Sequence, residues 1–254
     1  MQEPADLPAF FRPVFLPVVD STSDEAKRLA REAAPEGTLV WADRQTAGHG
    51  RLGRTWISPP GNLYVSLLLR PRAAAAEATQ ITFVAAVAAA ECLEQILPAG
   101  RAVTCKWPND VLVGGRKAVG ILLESEADHR GNLDSLVIGI GINVSSRPPD
   151  DVVQYAATSL HAEGAAGETP SSVLERLCLA ILLRYRQWQE EGFSPLRVAW
   201  LARAEKLNSP IEVRLETGTA AGIFAGLDPS GALVLQQGEL RRLVLAGDVF
   251  PAVA

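Results

Sequence analysis

The spacing of apolar positions changes several times along this chain, and each change marks an element. An apolar run at positions 14–19 predicts a strand. Ser21 and Thr22 then open a helix running to about Ala34, with Thr22-x-x-Glu25 as a capping-box pattern. Positions 38–42 predict a short strand that feeds a glycine-rich segment. Pro59-Pro60-Gly61-Asn62 predicts a turn and positions 63–69 a strand. The alanine-rich stretch 77–97, closed by Pro98, predicts one long helix. Strands are expected at 102–107 and 111–113, with Pro108-Asn109-Asp110 between them. Gly114-Gly115 predicts a two-residue hairpin turn into a strand at 117–124.

Positions 133–144 alternate, with Leu136, Ile138, Ile140 and Ile142 on one parity and Gly139 and Gly141 on the other. This predicts a half-buried strand, antiparallel to the preceding one. A loop-rich stretch at 147–167 and helices at about 171–192 and 195–204 follow. After Ser209-Pro210 the runs shorten to 211–216, 221–227, 232–236 and 239–246. Turns at Thr217-Gly218, Asp228-Pro229-Ser230-Gly231 and Gln237-Gly238 separate them. The expected organisation is an α+β domain over residues 1–208 and a small barrel over residues 209–254. No internal repeat and no long linker interrupts it.

Composition narrows the class. The chain has 254 residues, 48% of them hydrophobic and 21% charged, enough for a full core and against disorder. A net charge of −5 argues against a general nucleic-acid binder, though a local basic loop still suits a nucleotide. Cys92, Cys105 and Cys178 are widely spaced, form no CxxC and read as buried reduced thiols. The first residues lack the apolar core of a secretory leader. The longest apolar run, 83–90, is far short of the ~20 residues of a membrane span and belongs to an amphipathic or buried helix. A cytoplasmic protein is expected.

The chemistry concentrates in a few segments. Positions 45–56 read QTAGHGRLGRTW, with Gly48, Gly50 and Gly53 beside Arg51 and Arg54. Glycines let a backbone approach a ligand, and guanidinium forks match carboxylates and phosphates. The run 48–53 fits G-x-G-x-x-G, but Thr55-Trp56-Ile57-Ser58-Pro59-Pro60 cannot continue as the helix of a dinucleotide turn. No Gly-Lys-Ser/Thr follows either, so it is no Walker loop. A loop of this kind is expected to be mobile when empty and to order over its ligand.

Lys106-Trp107-Pro108-Asn109-Asp110 is by itself good turn chemistry. With the lysine and tryptophan ahead of it, Lys106 suits a phosphate, Asn109 an adenine edge, and Asp110 a metal ion or an incoming amine. Lys117 follows the Gly-Gly turn, and Gly120 on the same strand leaves backbone open to a flat apolar ligand. Ser21-Thr22-Ser23 caps a helix and also offers hydroxyls to a polar head group. Gly139 and Gly141 relieve crowding or leave room beneath a nucleotide, with Asn143 as a polar contact. His129 and His161 receive no role, and Asp134, Asp150, Asp151 and Glu163 read as solvated surface charges. No Ser-His-Asp or Cys-His arrangement stands out.

AGHGRLGRTW, PPGNLYVSLLLRP, KWPNDVLVGGRKAVGILLE and VIGIGINV, in this order, resemble the biotin protein ligases, over about Val18 to Phe250. GIFAGLDPSGALVL and AGDV look like that family's C-terminal SH3-like barrel. The resemblance implies an α+β fold of the class II aminoacyl-tRNA synthetase and biotin ligase type, with a mixed, mainly antiparallel sheet. It implies biotin, ATP and Mg²⁺ as substrates and cofactor, and biotinyl-5′-AMP as intermediate. The acyl acceptor is then a lysine of a biotin carboxyl carrier protein, of acetyl-CoA carboxylase or another biotin-dependent carboxylase. By similarity Ser21, Thr22, Ser23, Gln45, Gly48, His49, Gly50, Arg51, Lys117 and Gly120 serve biotin. Arg51, Arg54, Trp56, Lys106, Asn109 and Asn143 serve ATP. Arg51, Lys106, Asp110 and Lys117 carry catalysis, with Asp110 near Mg²⁺ and helping the reacting amine.

The chain departs from the family pattern at His49, where GRGRxGR has its first arginine, which predicts a weaker hold on the adenylate or a compensating group nearby. About 12 residues precede the pattern, too few for the DNA-binding domain that some relatives carry, so no DNA binding is expected. Family members dimerise through a sheet edge or stay monomeric, and the 133–144 strand is the candidate edge for a homodimer. A lipoate-type protein ligase, a non-catalytic biotin-sensing module and a DNA-bound repressor are the alternatives.

Overall fold

The computed structural model describes residues 6–71, 73–127, 133–153, 155–215 and 218–251. Strands β1 (Arg12–Val19) and β2 (Thr38–Gln45) run parallel, joined through helix α1 (Thr22–Arg31). Parallel neighbours need such a crossover, because no tight turn can connect them. Ser21, not Thr22, caps α1: its side chain accepts from the Asp24 N–H at 3.3 Å. Asp24 and Glu25 in the first turn and Arg28 and Arg31 in the last complement the helix dipole. Strand β3 (Leu63–Leu69) follows and is buried throughout.

The single helix expected at 77–97 divides into α2 (Ala75–Ala78) and α3 (Ile81–Ile96). At the break Gln80 N–H bonds Glu77 O, Thr82 N–H bonds Thr79 O and Phe83 N–H bonds Gln80 O. These three-residue spacings are tighter than α-helical ones and turn the chain. The alanines of α3 are buried on nearly every face, which lets the helix lie close between its neighbours.

Strands β4 (Val103–Lys106), β5 (Asp110–Val113), β6 (Arg116–Ala127) and β7 (Leu133–Ile142) complete the main sheet. Among the described residues its order is β1-β2-β3-β7-β6-β5-β4, with every pair after the first antiparallel. Gly114 and Gly115 have φ of 56° and 74°, the positive pair that a tight hairpin needs. The expected pairing of β6 with β7 is present, but β7 is not half-buried. It lies between β3 and β6, covered on both faces, so it offers no edge for a dimer. The edges are β1 and β4.

Helices α3, α4 (Pro170–Glu191) and α5 (Phe193–Leu201) cover one face of the sheet above the main core. Thr169 and Ser172 form a capping box at the start of α4. Helix α1 covers part of the other face, over Val40, Leu68 and Val137. The rest of that face carries the site.

Strands β8 (Pro210–Leu215), β9 (Gly218–Leu227), β10 (Leu233–Gln237), β11 (Leu240–Val244) and β12 (Asp248–Pro251) form a second antiparallel sheet. The run expected at 239–246 stops at Val244, and β12 is a fifth strand. The order β11-β10-β9-β8-β12 leaves two ends unpaired with each other, so no closed barrel forms among the described residues. The turn expected at Thr217-Gly218 and His129 fall partly or wholly outside the described residues. Among the described residues no helix is long and apolar enough to cross a membrane.

Candidate active site

The register of the sheet builds the floor. Tyr64, Gly141, Gly120, Asp110 and Lys106 are successive cross-strand partners on β3, β7, β6, β5 and β4. Ser66, Gly139 and Leu122 form the next row. Partners directly opposite share a face, so both rows point toward α1. The glycines leave a trough there. Its cavity has a volume of about 540 Å³.

One end of this cleft is neutral and hydrogen-bonded within itself. Ser21, Thr22 and Ser23 are buried at the N-terminus of α1. Gln45 Oε1 accepts from Thr22 N–H at 2.8 Å and from its hydroxyl at 3.1 Å. Gln45 Nε2 donates to Ser58 Oγ at 2.9 Å, and Ser58 donates to Trp56 O. The Ser66 hydroxyl lies 2.9 Å from that of Thr22 and 3.0 Å from that of Ser23. A side chain at Gly139 would meet Ser23 Oγ at 2.5 Å.

Trp56 accounts for two more glycines. Its indole lies over Gly120 and Gly141, where added Cβ atoms would meet the ring at 2.6 and 2.5 Å. The flat group pressed on Gly120 is therefore this side chain. A register shift between Val111 and Leu112 lets Lys117 turn to the same side as Gly120. Lys117 Nζ lies 2.6 Å from Asp110 Oδ1 and 5.3 Å from the Trp56 ring.

The other end is charged and drawn from distant segments. Arg51 donates to Asn109 Oδ1 at 3.3 Å and to Gly247 O at 3.2 Å, and lies 3.6 Å from Asp248. Arg54 pairs with Asp248 more tightly still. Burial opposes the charge on Asp248, but the Arg54 bond and the two guanidinium charges outweigh it and hold its carboxyl below the usual range. The bond that Arg54 donates to Asp248 also raises the pKa of Arg54. The glycine-rich segment is thus tied to β12, through a short turn in which Leu52 has φ 56°.

Asn109 also donates to Ile121 O, and Asn143 Nδ2 to Thr158 O at 3.0 Å. Both line the cleft, as do Gly50 and His49. His49 lies 3.8 Å from Asp24 and 3.6 Å from Glu124, carboxylates that Lys27 already bonds. Gly48 is not in the lining. It packs on Gln45, Trp56 and Ser58, leaving no space for a side chain. Lys106 is not in the lining either. It is buried beneath Tyr155, 3.0 Å from the ring centroid, and burial lowers its pKa to about 8, partly opposed by Asp110.

Three residues escaped the sequence reading. Asp248 stands in a short strand and Tyr155 in a polar loop, with no local signal beyond an isolated charge and an isolated ring. Tyr155 donates to Val249 O at 2.9 Å and stacks on Phe250, which binds the cleft wall to β12. Glu163, expected as a solvated charge, is instead 1% exposed and paired with Arg116 and Arg101. Asp134 and Asp150 do pair at the surface, with Arg70 and Arg147. Asp151 is exposed, and His161 bonds Glu168 O.

The sequence model of the Biotin/lipoate A/B protein ligase family matches residues 15–143. That of the Biotin protein ligase C terminal domain matches residues 206–250. A biotin--[acetyl-CoA-carboxylase] ligase of Paracoccus denitrificans is 40% identical over 91% of this chain and 97% of its own. The chain belongs to the biotin protein ligase family. This ligase is also 39% identical to the bifunctional ligase/repressor BirA of Bacillus subtilis, over 93% of this chain and 73% of that one. The solved biotin protein ligase from Aquifex aeolicus in complex with biotin and ATP is 31% identical. It superposes with a TM-score of 0.78 over 94% of this chain and 97% of its own. The ligase is therefore an enzyme of the biotin class, and its relatives do not favour the lipoate alternative.

Proposed function

We propose that this cleft activates biotin with ATP and passes the biotinyl group to a carrier lysine. The Lys117–Asp110 pair carries the reading, because it stands where the neutral end meets the arginine end. Ser21, Thr22, Ser23 and Gln45 would receive the uncharged ring system of biotin, with Gly120 bordering its apolar part, and the Trp56 ring that covers Gly120 would serve ATP. Lys117 would hold the carboxylate. Arg51 and Arg54 would hold the phosphates, and Asn109 and Asn143 the nucleoside.

In the first step a carboxylate oxygen of biotin bonds to the α-phosphorus, and the bond to the pyrophosphate oxygen breaks. Both reactants are anions, so positioning and charge cancellation supply the catalysis. In the second step the amine nitrogen of the carrier lysine bonds to the acyl carbon, and AMP leaves with the former carboxylate oxygen. A free lysine has a pKa near ~10.4, so its proton must be removed. Asp110 is the group placed to help.

Mg²⁺ fits as a nucleotide-borne ion. No cluster of three ligating carboxylates, histidines or cysteines occurs among the described residues. Asp110 is buried with its Oδ1 2.6 Å from Lys117 Nζ, and one carboxylate plus phosphate oxygens is a common Mg²⁺ environment. The ion would neutralise phosphate charge there. Lys106 would act behind Tyr155 rather than by direct contact in this arrangement.

We further assign residues 1–208 to the catalytic domain and residues 209–254 to an SH3-like domain, supported by the second sheet. The acceptor would be the carrier domain of acetyl-CoA carboxylase or another biotin-dependent carboxylase. Three buried free cysteines suit a reducing cytoplasm. The expectation of no DNA binding stands as a proposal, testable by gel shift, and oligomeric state by sedimentation. The activity is tested by incubating the purified chain with a carrier domain, biotin and ATP. Biotin on the carrier, dependent on ATP, is expected; ATP–pyrophosphate exchange driven by lipoate but not biotin would overturn the reading.

A further inference from the structure

Lys117 reaches the cleft from a backbone that is clipped on both sides. Its N–H bonds Ala156 O at 2.8 Å, and its C=O accepts from Thr158 N–H at 2.9 Å. The clip is a lone parallel bridge between Lys117 and Ala157, not part of a strand ladder. A single bridge has little stiffness of its own, so something must hold the 156–158 segment in register.

Glu163 stands where that support is needed. Its Oε1 accepts from the Thr158 hydroxyl and from the Arg116 guanidinium, and its Oε2 lies 3.4 Å from Arg101. Arg116 immediately precedes Lys117, and Thr158 is the residue that bonds the Lys117 carbonyl. One buried carboxylate oxygen thus ties together the two chains that grip the lysine. Glu163 N–H is itself fixed by Ser159 O and Leu160 O. Thr158 O in turn accepts from Asn143 in the cleft wall. Charge-assisted bonds to a buried carboxylate are stronger than neutral ones, and displacing a reacting group by a fraction of its contact distance is costly.

We propose that Glu163 is a positioning residue for the ligase reaction, setting Lys117 against the biotin carboxylate through Arg116 and Thr158. It does not line the cleft, and the proposal rests on Lys117 being the carboxylate-binding group. The ends of the cleft predict a split effect. Biotin binding should suffer most, while Arg51 and Arg54, which are held by β12 and not by Glu163, should keep their hold on the phosphates of ATP.

The test is biotin-dependent ATP–pyrophosphate exchange by the full chain, in a cycle of Glu163→Gln, Lys117→Met and the double variant. Glu163→Gln keeps the size of the side chain and an acceptor for Thr158 but loses the charge. It is expected to raise the biotin KM about ten-fold and to change the ATP KM less than about two-fold. In the Lys117→Met background it should add almost nothing, because residues that act through one another are not additive. A general loss of structure would raise both KM values and persist in that background, and either result overturns the proposal. If Lys117→Met itself leaves the biotin KM unchanged, the assignment of Lys117 falls and the positioning role with it. Should Glu163→Gln fail to fold, Arg116→Gln at the half-exposed partner is expected to raise the biotin KM about three-fold. An unchanged KM there would count against the proposal.

Discussion

The two ends of the cleft are built in different ways. The hydroxyl end is made by α1, β2 and β3, whose neighbours lie in one sheet, and its polar groups already bond one another. The arginine end is assembled from the glycine-rich segment, the loop before β5 and the remote strand β12. Its two guanidinium charges are partly offset by the single carboxylate of Asp248, with which a nucleotide phosphate would have to exchange. The first end is preorganised for a neutral ring system. The second holds a carboxylate in the place where the proposed function puts phosphates. The difference predicts that changes at each end move a different substrate.

The largest effect is expected at Arg51. Its replacement by alanine should lower kcat for pyrophosphate exchange by about 10²–10³-fold, as loss of one charge-stabilising donor does. Exchange assays check this, and a loss confined to the biotin KM would contradict it. At the opposite end, Gln45→Ala leaves the Thr22 N–H and Ser58 without their partner. An unmade buried bond costs about 1–3 kcal/mol, so the biotin KM should rise about ten-fold with ATP nearly unaffected. His49→Arg places a fixed charge between Asp24 and Glu124. Stopped-flow release of biotinyl-5′-AMP is expected to slow by about five-fold in this variant. Equal rates would show that the histidine costs nothing.

Lys106 gives a pH test of the seam behind the cleft. Its folded pKa, about 8, lies below the unfolded value near 10.4. Between those values the unfolded chain binds the extra proton, so stability from this group rises with pH across that window. Below pH 8 both states are protonated and burial of the charge is a constant cost. Lys106→Met should therefore be more stable relative to the native chain at pH 7 than at pH 10. Thermal midpoints read this, and a gap that widens with pH would reverse the sign.

The legible parts of the site are those whose partners lie nearby in sequence. The Ser-Thr-Ser run at 21–23 that opens α1, the arginines after β2 and the Gly-Gly hairpin before Lys117 each announce themselves in a few residues. Their structural positions follow directly. The strand β7 was readable as a strand, yet its central place was not, because alternation does not reveal a second covering layer. The missed residues pair across long separations. Arg54 and Asp248 are 194 residues apart, and Arg116 and Glu163 are 47 apart. No local pattern marks a buried glutamate in a polar loop, and no spacing announces that β12 will return to the glycine-rich segment.

The contrast between the two ends is tested most directly by Asp248→Asn, with biotin and ATP KM values measured separately in pyrophosphate exchange. Removing the carboxylate frees the arginines without touching the hydroxyl network. The ATP KM is expected to fall by about three-fold, the modest size of a half-screened ion pair, while the biotin KM stays constant. A higher ATP KM, or a biotin KM that moves as far, would contradict the account.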